Sequence, residues 1–349
     1  MQFRLFFALF VLIVVFIAGC DLIIEGTTTT TSPKSSLVTT STTVKTNISR
    51  IEEINQKWKS LKPQFIGIDF YETSPGTYSD NKLIAPYVAG KIKSQFLQDA
   101  LNMTNFVRFL AGLPYDVILD NELINKAQHG SVLLKASGFS HTPSKPADMD
   151  ETFYNLAYSS TSSSNIAYRY QTIASSIKDG YMSDGDTSNI DRVGHRRWIL
   201  NPKLLKTGFG YSYGSMTMQV FDQSRTTVFD YDFISWPSNN DFPSDFFKTN
   251  DPWSITLNPL KYSQPSKSLV KVTLKSSDKE WTFSQTDTNK SGKYFNVETS
   301  GYGVNNCIIF RPDGVTSYTG SFTVEITGIK DKQGIEKSIN YSVNFFKLD

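Results

Sequence analysis

Three histidines, His129, His141 and His195, are the candidate imidazoles for acid–base or metal chemistry in this sequence. A neutral imidazole can bind a transition metal or transfer a proton near neutral pH. Pro143 stiffens the turn after His141, and Gly194 allows the backbone before His195 to pass close to a neighbour. His129 falls in a predicted helix, off its apolar face, and we expect it to be solvated.

Two cysteines exclude a disulfide-rich scaffold and a zinc site built from cysteine ligands. Cys307 lies in a predicted strand, where we expect it to be buried and unreactive. Cys20 follows residues 5–18, an unbroken apolar run of fourteen residues. This run is shorter than the ~20 residues of a membrane-spanning helix and suits the core of a signal peptide.

The sequence Ile17-Ala18-Gly19-Cys20 resembles the cleavage and lipidation box of bacterial lipoproteins. The resemblance implies that residues 1–20 are a signal peptide ending at the lipidation residue Cys20. Acyl chains on that cysteine, palmitate among them, would hold the protein on the cell membrane, facing the extracytoplasmic side. The alternative is an ordinary signal anchor in which Cys20 has no special role.

Composition excludes several classes of protein. Lys and Arg total 35 against 33 for Asp and Glu, so the formal net charge of +2 gives no reason to expect a nucleic-acid partner.

Residues 27–46 contain fourteen Ser or Thr and no aromatic residue. Such a segment cannot bury enough apolar surface to fold, so residues 21–47 are interpreted as a flexible tether.

The first half of the folded part is predicted to be helical and then to turn to strands. Apolar residues recur with helical spacing in four segments: 48–61, 91–111, 121–136 and 165–178. From residue 207 the period changes to two, and the predicted strands are 207–213, 216–221 and 226–235. Helices followed by strands indicate an α+β domain over residues 91–235, preceded by a helix and an irregular lead-in over residues 48–90.

The second half of the folded part is predicted to be all-β. Residues 236–252 are polar with three prolines and are interpreted as a connector, and the aromatic residues within 242–247 as domain-interface packing. Seven short runs of period two then follow: 253–257, 269–275, 280–284, 294–298, 307–311, 321–327 and 338–346. They predict a small immunoglobulin-like sandwich over residues 253–349.

A series of short motifs in the middle of the chain carries a family resemblance. The motifs are Asn105-Phe-Val-Arg108, Ala111-Gly112-Leu113-Pro114, Ala127-Gln128, Ser140-His141-Thr142-Pro143, Ser164-Asn165-Ile166-Ala167, Val193 to Pro202, and Gly208-Phe209-Gly210. In this order they resemble the CAP superfamily of cysteine-rich secretory proteins, allergens and pathogenesis-related proteins, in particular its disulfide-free bacterial branch. The resemblance implies an α-β-α sandwich with a central antiparallel sheet.

The resemblance also implies a site. In that family two histidines face a solvent-filled cleft and can share a divalent metal; by motif these are His141 and His195, with Ser164 and Asn165 beside them. Two imidazoles and waters would form an open zinc shell, so zinc is the expected cofactor. The residues alone leave a second interpretation open, in which backbone carbonyls satisfy both imidazoles and no metal binds.

This chain departs from the family at two glutamates. Ser164 stands where the family often has Glu before Asn, and Ala174-Ser175-Ser176 occupies the neighbourhood of the second glutamate. Asp184, Asp186 and Asp191 are possible substitutes, and spacing alone does not choose among them. Because hydrolysis requires a base, the missing glutamates argue against an enzyme.

We therefore expect a membrane-anchored binding or adhesion module of the cell envelope that uses the two-histidine cleft. One alternative is a metal-dependent extracellular hydrolase, which would need His141, His195 and a substitute carboxylate around one metal. The other is a carrier of lipids or sterols, which would need an apolar groove between helices.

Overall fold

The computed structural model describes residues 48–227 and 229–349. The predicted signal peptide, the lipidation residue Cys20 and the tether fall in Met1–Asn47, outside the described residues. No helix in the two described ranges combines the length and the apolar composition needed to cross a bilayer.

The helices lie in the first half of the described chain. They are α1 (Arg50–Leu61), α2 (Ser94–Leu110), α3 (Asn121–Ser137), α4 (Glu151–Thr161), α5 (Ile173–Ser176) and α6 (Gly194–Ile199), with a π-helical turn at Ile177–Tyr181. Side chains of Ser49, Asp120 and Asp150 accept hydrogen bonds from the first-turn N–H groups of α1, α3 and α4. Each such cap typically stabilises a helix by about 1 kcal/mol.

The fourth predicted helix, residues 165–178, is correct only in its second part. Helix α5 and the π-helical turn after it cover Ile173–Ser176 and Ile177–Tyr181, whereas Ser164–Tyr168 forms strand β6. Residues of β6 pair with a neighbouring strand, for example Ile166 with Thr217. Pairing in a sheet therefore overrides the local helical spacing in the first part of the segment, and the helix begins only at α5.

Strands in the first half form a small hairpin, a short pair and a central sheet. They are β1 (Tyr71–Thr73), β2 (Gly76–Ser79), β3 (Lys82–Tyr87), β4 (Lys91–Ile92), β5 (Ile118–Leu119), β6 (Ser164–Tyr168), β7 (Lys206–Ser212) and β8 (Ser215–Gln219). The central sheet has the order β5-β7-β8-β6 and is antiparallel except for the short β5–β7 pair. Tyr213 and Gly214, both with positive φ, make the tight turn between β7 and β8.

Helices cover both faces of the central sheet. Gly208 and Gly210 of β7 face α3 so closely that a Cβ on either would lie 2.2 Å from the helix backbone. Side chains alternate along a strand, and Phe209 and Tyr211 accordingly face α2, where Tyr211 lies 5.3 Å from the ring of Phe96. The first half is therefore an α-β-α sandwich, as predicted, and the fold class is α+β.

Two sheets form the second half. Their strands are β9 (Phe233–Trp236), β10 (Asn240–Pro243), β11 (Trp253–Leu257), β12 (Lys271–Lys275), β13 (Glu280–Phe283), β14 (Tyr294–Glu298), β15 (Cys307–Arg311), β16 (Gly320–Lys330) and β17 (Glu336–Phe346). One sheet has the order β10-β17-β16-β12-β13 and the other β14-β15-β11-β9. Trp253 of the second sheet contacts Phe322 and Phe345 of the first, so the two sheets pack face to face.

The sandwich begins earlier in the chain than the sequence analysis placed it. Strand β9, assigned there to the preceding domain, pairs with β11, and β10, assigned to the connector, pairs in parallel with β17. The aromatic residues Phe242 and Phe247 pack against Phe345 in the sandwich core. Pro243 is tolerated because β10 is an edge strand, and this proline concealed the strand in the sequence.

A continuous core joins the two halves. Residues Ile48–Asp349 form a single compact unit, and one cluster of buried apolar residues runs from α1 through the central sheet into the sandwich. At one end of this unit, Asn55 of α1 donates to a carboxylate oxygen of Asp349 at 2.7 Å. The first helix and the last residue of the described chain are therefore joined directly.

We expect Gly210→Ala to destabilise the fold by about 2–3 kcal/mol, because the new Cβ would overlap the backbone oxygen of Ala127 and overpack α3 against β7. Urea denaturation measures the change. Gly301→Ala is the control, since its Cβ would meet only a side-chain oxygen of Asn305 at 3.1 Å. Equal stability of the two variants would contradict the close packing described for α3 and β7.

Candidate functional site

His141 and His195 line the same cleft. The cleft consists of two adjoining cavities of about 220 and 450 Å³, and both imidazoles line both of them. Asn189 and Arg192 are also shared by the two cavities. The structure thus brings together the two histidines that the motifs selected, although 53 positions separate them in the chain.

A buried carboxylate orients His195. Oδ1 of Asp184 lies 2.7 Å from Nδ1 of His195, and Oδ2 accepts a hydrogen bond of 3.1 Å from the backbone N–H of Arg196. The Asp184 side chain is 1% exposed, whereas that of His195 is 19% exposed. Both oxygens of Asp184 are therefore committed to fixing the ring and the start of α6, and Asp184 is a positioning residue.

The other two candidate carboxylates have different roles. Asp186 lines the larger cavity and accepts hydrogen bonds from the backbone N–H of Ser188 and the side chain of Asn189. Asp191 pairs with Lys290 at 3.2 Å. Of the three aspartates that the sequence offered, only Asp184 contacts a cleft histidine in the described structure.

The pKa of His195 is raised above its ordinary value of 6.5. Burial is the largest single influence and lowers this pKa, but the charge of Asp184, its hydrogen bond and the charge of Asp186 together outweigh burial. A carboxylate accepts a hydrogen bond, so Nδ1 of His195 carries the proton of the neutral ring. The lone pair of that ring is then on Nε2.

His141 is held in the corresponding way by a backbone carbonyl. It lies in the loop after α3, and its Nδ1 donates to the carbonyl oxygen of Thr161 at 2.8 Å. The loop is fixed by Tyr154, whose hydroxyl donates to the carbonyl of Pro143 at 3.1 Å. His141 itself remains exposed, and its neutral ring also keeps the lone pair on Nε2.

Ser164 and Asn165 line the smaller cavity, but their side chains donate hydrogen bonds to backbone carbonyls of the protein. The Ser164 hydroxyl donates to the carbonyl of Ser160 at 2.7 Å, and the Asn165 amide donates to the carbonyl of His195 at 3.0 Å. Asn165 therefore joins strand β6 to helix α6 and helps to place His195. Ser164, at the position of a family glutamate, supplies no base.

The arrangement fits a divalent metal in part. Metal-binding histidines usually donate their second ring nitrogen to a carboxylate or carbonyl, which is the arrangement of Nδ1 in both His195 and His141. No group of three or more His, Cys, Asp or Glu in the described ranges is placed to hold one ion. The two Nε2 atoms would thus be the protein ligands, and water or a bound molecule would fill the remaining positions.

The remaining histidine and cysteine lie elsewhere. Nδ1 of His129 is 2.8 Å from the carbonyl of Asn125 on α3, and its ring packs 4.5 Å from that of Phe153. Cys307 is buried in strand β15, and burial raises the pKa of its thiol. Neither residue lines the cleft.

Sequence reasoning missed the aromatic part of the cleft. Trp198, Phe221 and Tyr302 line the smaller cavity together with the histidines. The sequence carried one signal for Trp198, which is three residues after His195 and so on the same face of a helix. It carried none for Tyr302, which comes from the loop between β14 and β15 in the sandwich.

Two buried arginines fix helix α6 to the sandwich. Arg196 donates to the carbonyl of Pro252 at 2.7 Å and to the hydroxyl of Ser254 at 2.9 Å. Arg197 donates to the carbonyls of Ser300 and Val304, on either side of Tyr302. The helix that carries His195 therefore also positions the sandwich loop at the cleft.

Comparison with known proteins agrees with this architecture. The model of the CAP family, described as the cysteine-rich secretory protein family, matches residues 101–229. The match covers most of α2, the whole central sheet, both cleft histidines and Asp184. A comparison with curated proteins found no match. Residues 101–229 therefore match a CAP-family domain, and a β-rich region follows them.

Proposed function

We propose that this protein is a lipid-anchored, extracytoplasmic binding module that takes its ligand in the cleft between His141 and His195. The observation that carries the proposal is that the two imidazoles have the same surroundings and the same hydrogen-bonding pattern. Both line the same cavities, both have Nδ1 bonded to an oxygen, and neither Nε2 is bonded to another group of the described chain.

The cleft is better suited to binding than to acid–base chemistry. Asp184 uses both oxygens in orienting His195 and Arg196 and is 1% exposed, so it is not placed to accept a proton from water. The smaller cavity is lined by hydroxyl, amide and guanidinium groups from Ser162, Asn189 and Arg192, which suit hydrogen bonds to a ligand. A divalent ion bound to the two Nε2 atoms would supply a Lewis-acid contact for a ligand oxygen.

A metal-dependent hydrolase is the second candidate, and the Asp184–His195 pair favours it. A carboxylate that fixes an imidazole tautomer and raises its pKa is a common support for a general base. Nε2 of His195 cannot take a proton while it holds a metal, so in this candidate His195 would act as the base and His141 would hold the metal.

Zinc binding tests the cleft directly. We expect the full-length protein in detergent micelles to bind one Zn²⁺ per chain in a calorimetric titration. His141→Ala and His195→Ala should each weaken binding at least tenfold, because each removes one of two protein ligands. His129→Ala is the matched control and should bind as the natural protein does, since His129 lies outside the cleft. Unchanged zinc affinity in both cleft variants would overturn the proposed site.

Asp184→Asn should lower the pKa of His195, because it removes the charge that most strongly opposes burial and leaves only the weaker influence of Asp186. In the natural protein His195 stays protonated to a higher pH than in the unfolded chain. The stabilisation from its charged form is therefore complete below pH 6.5 and is lost as the pH rises through the folded value.

The measurement is an NMR titration of the imidazole protons in chelator-treated buffer. His129 serves as the internal reference, because it makes no contact with Asp184. If the pKa of His195 is the same in Asp184→Asn as in the natural protein, a group other than Asp184 stabilises the protonated imidazole.

The anchor is supported by the apolar run of residues 5–18, the box that ends in Cys20 and the Ser/Thr-rich segment after it. Expression with radiolabelled palmitate in a bacterial host should label the protein and place it in the membrane fraction. Cys20→Ser should lose the label and Cys307→Ser should retain it, because Cys307 is buried in strand β15. Label that persists in Cys20→Ser would overturn the anchor.

A further inference from the structure

Three aromatic side chains form one wall of the smaller cavity: Trp198, Phe221 and Tyr302. We call them the aromatic wall. Phe221 is 44% exposed, and Trp198 and Tyr302 are half-buried, so part of each ring remains accessible. Large exposed aromatic surface beside convergent polar groups is typical of a ligand site.

Different parts of the fold hold these rings in place. Trp198 lies on α6 one turn after His195, and Phe221 follows the end of β8. Their rings stack with centroids 4.0 Å apart and planes at 26°. Stacking covers one face of each ring, so the surface that remains for a ligand is the outer face and the edge of each ring.

Tyr302 reaches the cleft from the sandwich. Its ring packs where Gly194 has no side chain, since a Cβ there would lie 2.8 Å from the ring. The guanidinium of Arg197 lies 5.3 Å from the ring centroid and donates to the carbonyl groups of Ser300 and Val304. The tyrosine is thus held rigidly, and the family domain alone would lack one side of this cavity.

Polar groups line the rest of the cavity. They come from Ser162, Asn189 and Arg192 and from the two histidines. The side chain of Arg192 makes a single contact within the described chain, of 3.5 Å to Asp191, which also pairs with Lys290. Its guanidinium therefore has donors available for a ligand.

From this combination we infer that the cleft binds a pyranose ring of a glycan, stacked on the aromatic wall; the inference rests on the proposed binding function. One face of a pyranose presents C–H groups, which match the negative face of an aromatic ring. Hydroxyl groups around its edge match the side-chain oxygens of Ser162 and Asn189, which accept hydrogen bonds, and the guanidinium of Arg192, which donates them.

Other ligand classes fit this cavity less well. An organic cation stacked on the aromatic wall would lie beside the guanidinium of Arg192, so charge repulsion disfavours it. A long acyl chain would cover the polar side chains of Ser162, Asn189 and Arg192 without offering them hydrogen bonds, and desolvating those groups is costly. A sugar ring satisfies the flat apolar wall and the polar groups together.

A glycan microarray carrying neutral, N-acetylated and acidic pyranoses tests the inference with the full-length protein in detergent micelles. We expect binding to at least one oligosaccharide class, at least tenfold weaker in Phe221→Ala and in Tyr302→Ala. Tyr302→Phe keeps the ring and should bind normally. Leu260→Ala removes a side chain that is 82% exposed outside the cleft and should also bind normally.

The zinc titration in the same samples separates the two proposals. Zinc bound through His141 and His195 without binding to any glycan would overturn the pyranose inference and leave the two-histidine cleft intact. Glycan binding that survives both Phe221→Ala and Tyr302→Ala would also overturn the inference. If the natural protein binds neither zinc nor any glycan, both proposals are overturned.

Discussion

The hydrogen bonds of helix α6 are the constraint on which the rest of the site depends. This helix of six residues turns His195 and Trp198 toward the cleft and Arg196 and Arg197 toward the sandwich. Burying a guanidinium is costly unless its donors are satisfied, and Arg196 meets that cost with four hydrogen-bond acceptors. Because the helix is fixed on both faces, the position of His195 is defined relative to both halves of the molecule.

The sequence predicted the elements well where a single period runs through a segment. The apolar spacing of α2 and α3 and the alternation in β14 and β15 gave boundaries within a few residues of the structure. It failed at residues 164–168, where Asn165 and Ile166 follow a helical spacing but pair with β8. It failed again at β10, because Pro243 at an edge position looked like part of a connector.

The site could be predicted in part. The motifs identified His141 and His195. They also showed that two glutamates of the family are absent, and three nearby aspartates were the candidates to replace them. Spacing could not choose Asp184, because its approach to His195 depends on a left-handed backbone at residue 184, which local sequence does not specify. Tyr302 could not be found at all, since it reaches the cleft through the long-range packing of the sandwich on Gly194.

The hydrogen bond between Asn55 and Asp349 has a mechanical consequence for a protein held on a surface. If residues 1–47 hold the protein on a membrane, as we propose, tension from that attachment would enter the folded unit at α1. That helix is bonded to Asp349, which follows β17, and packs on β10, so the load would pass into the strands of the sandwich. A load between that attachment and a ligand in the cleft would reach helix α6 through the sandwich, to which Arg196 and Arg197 bond it.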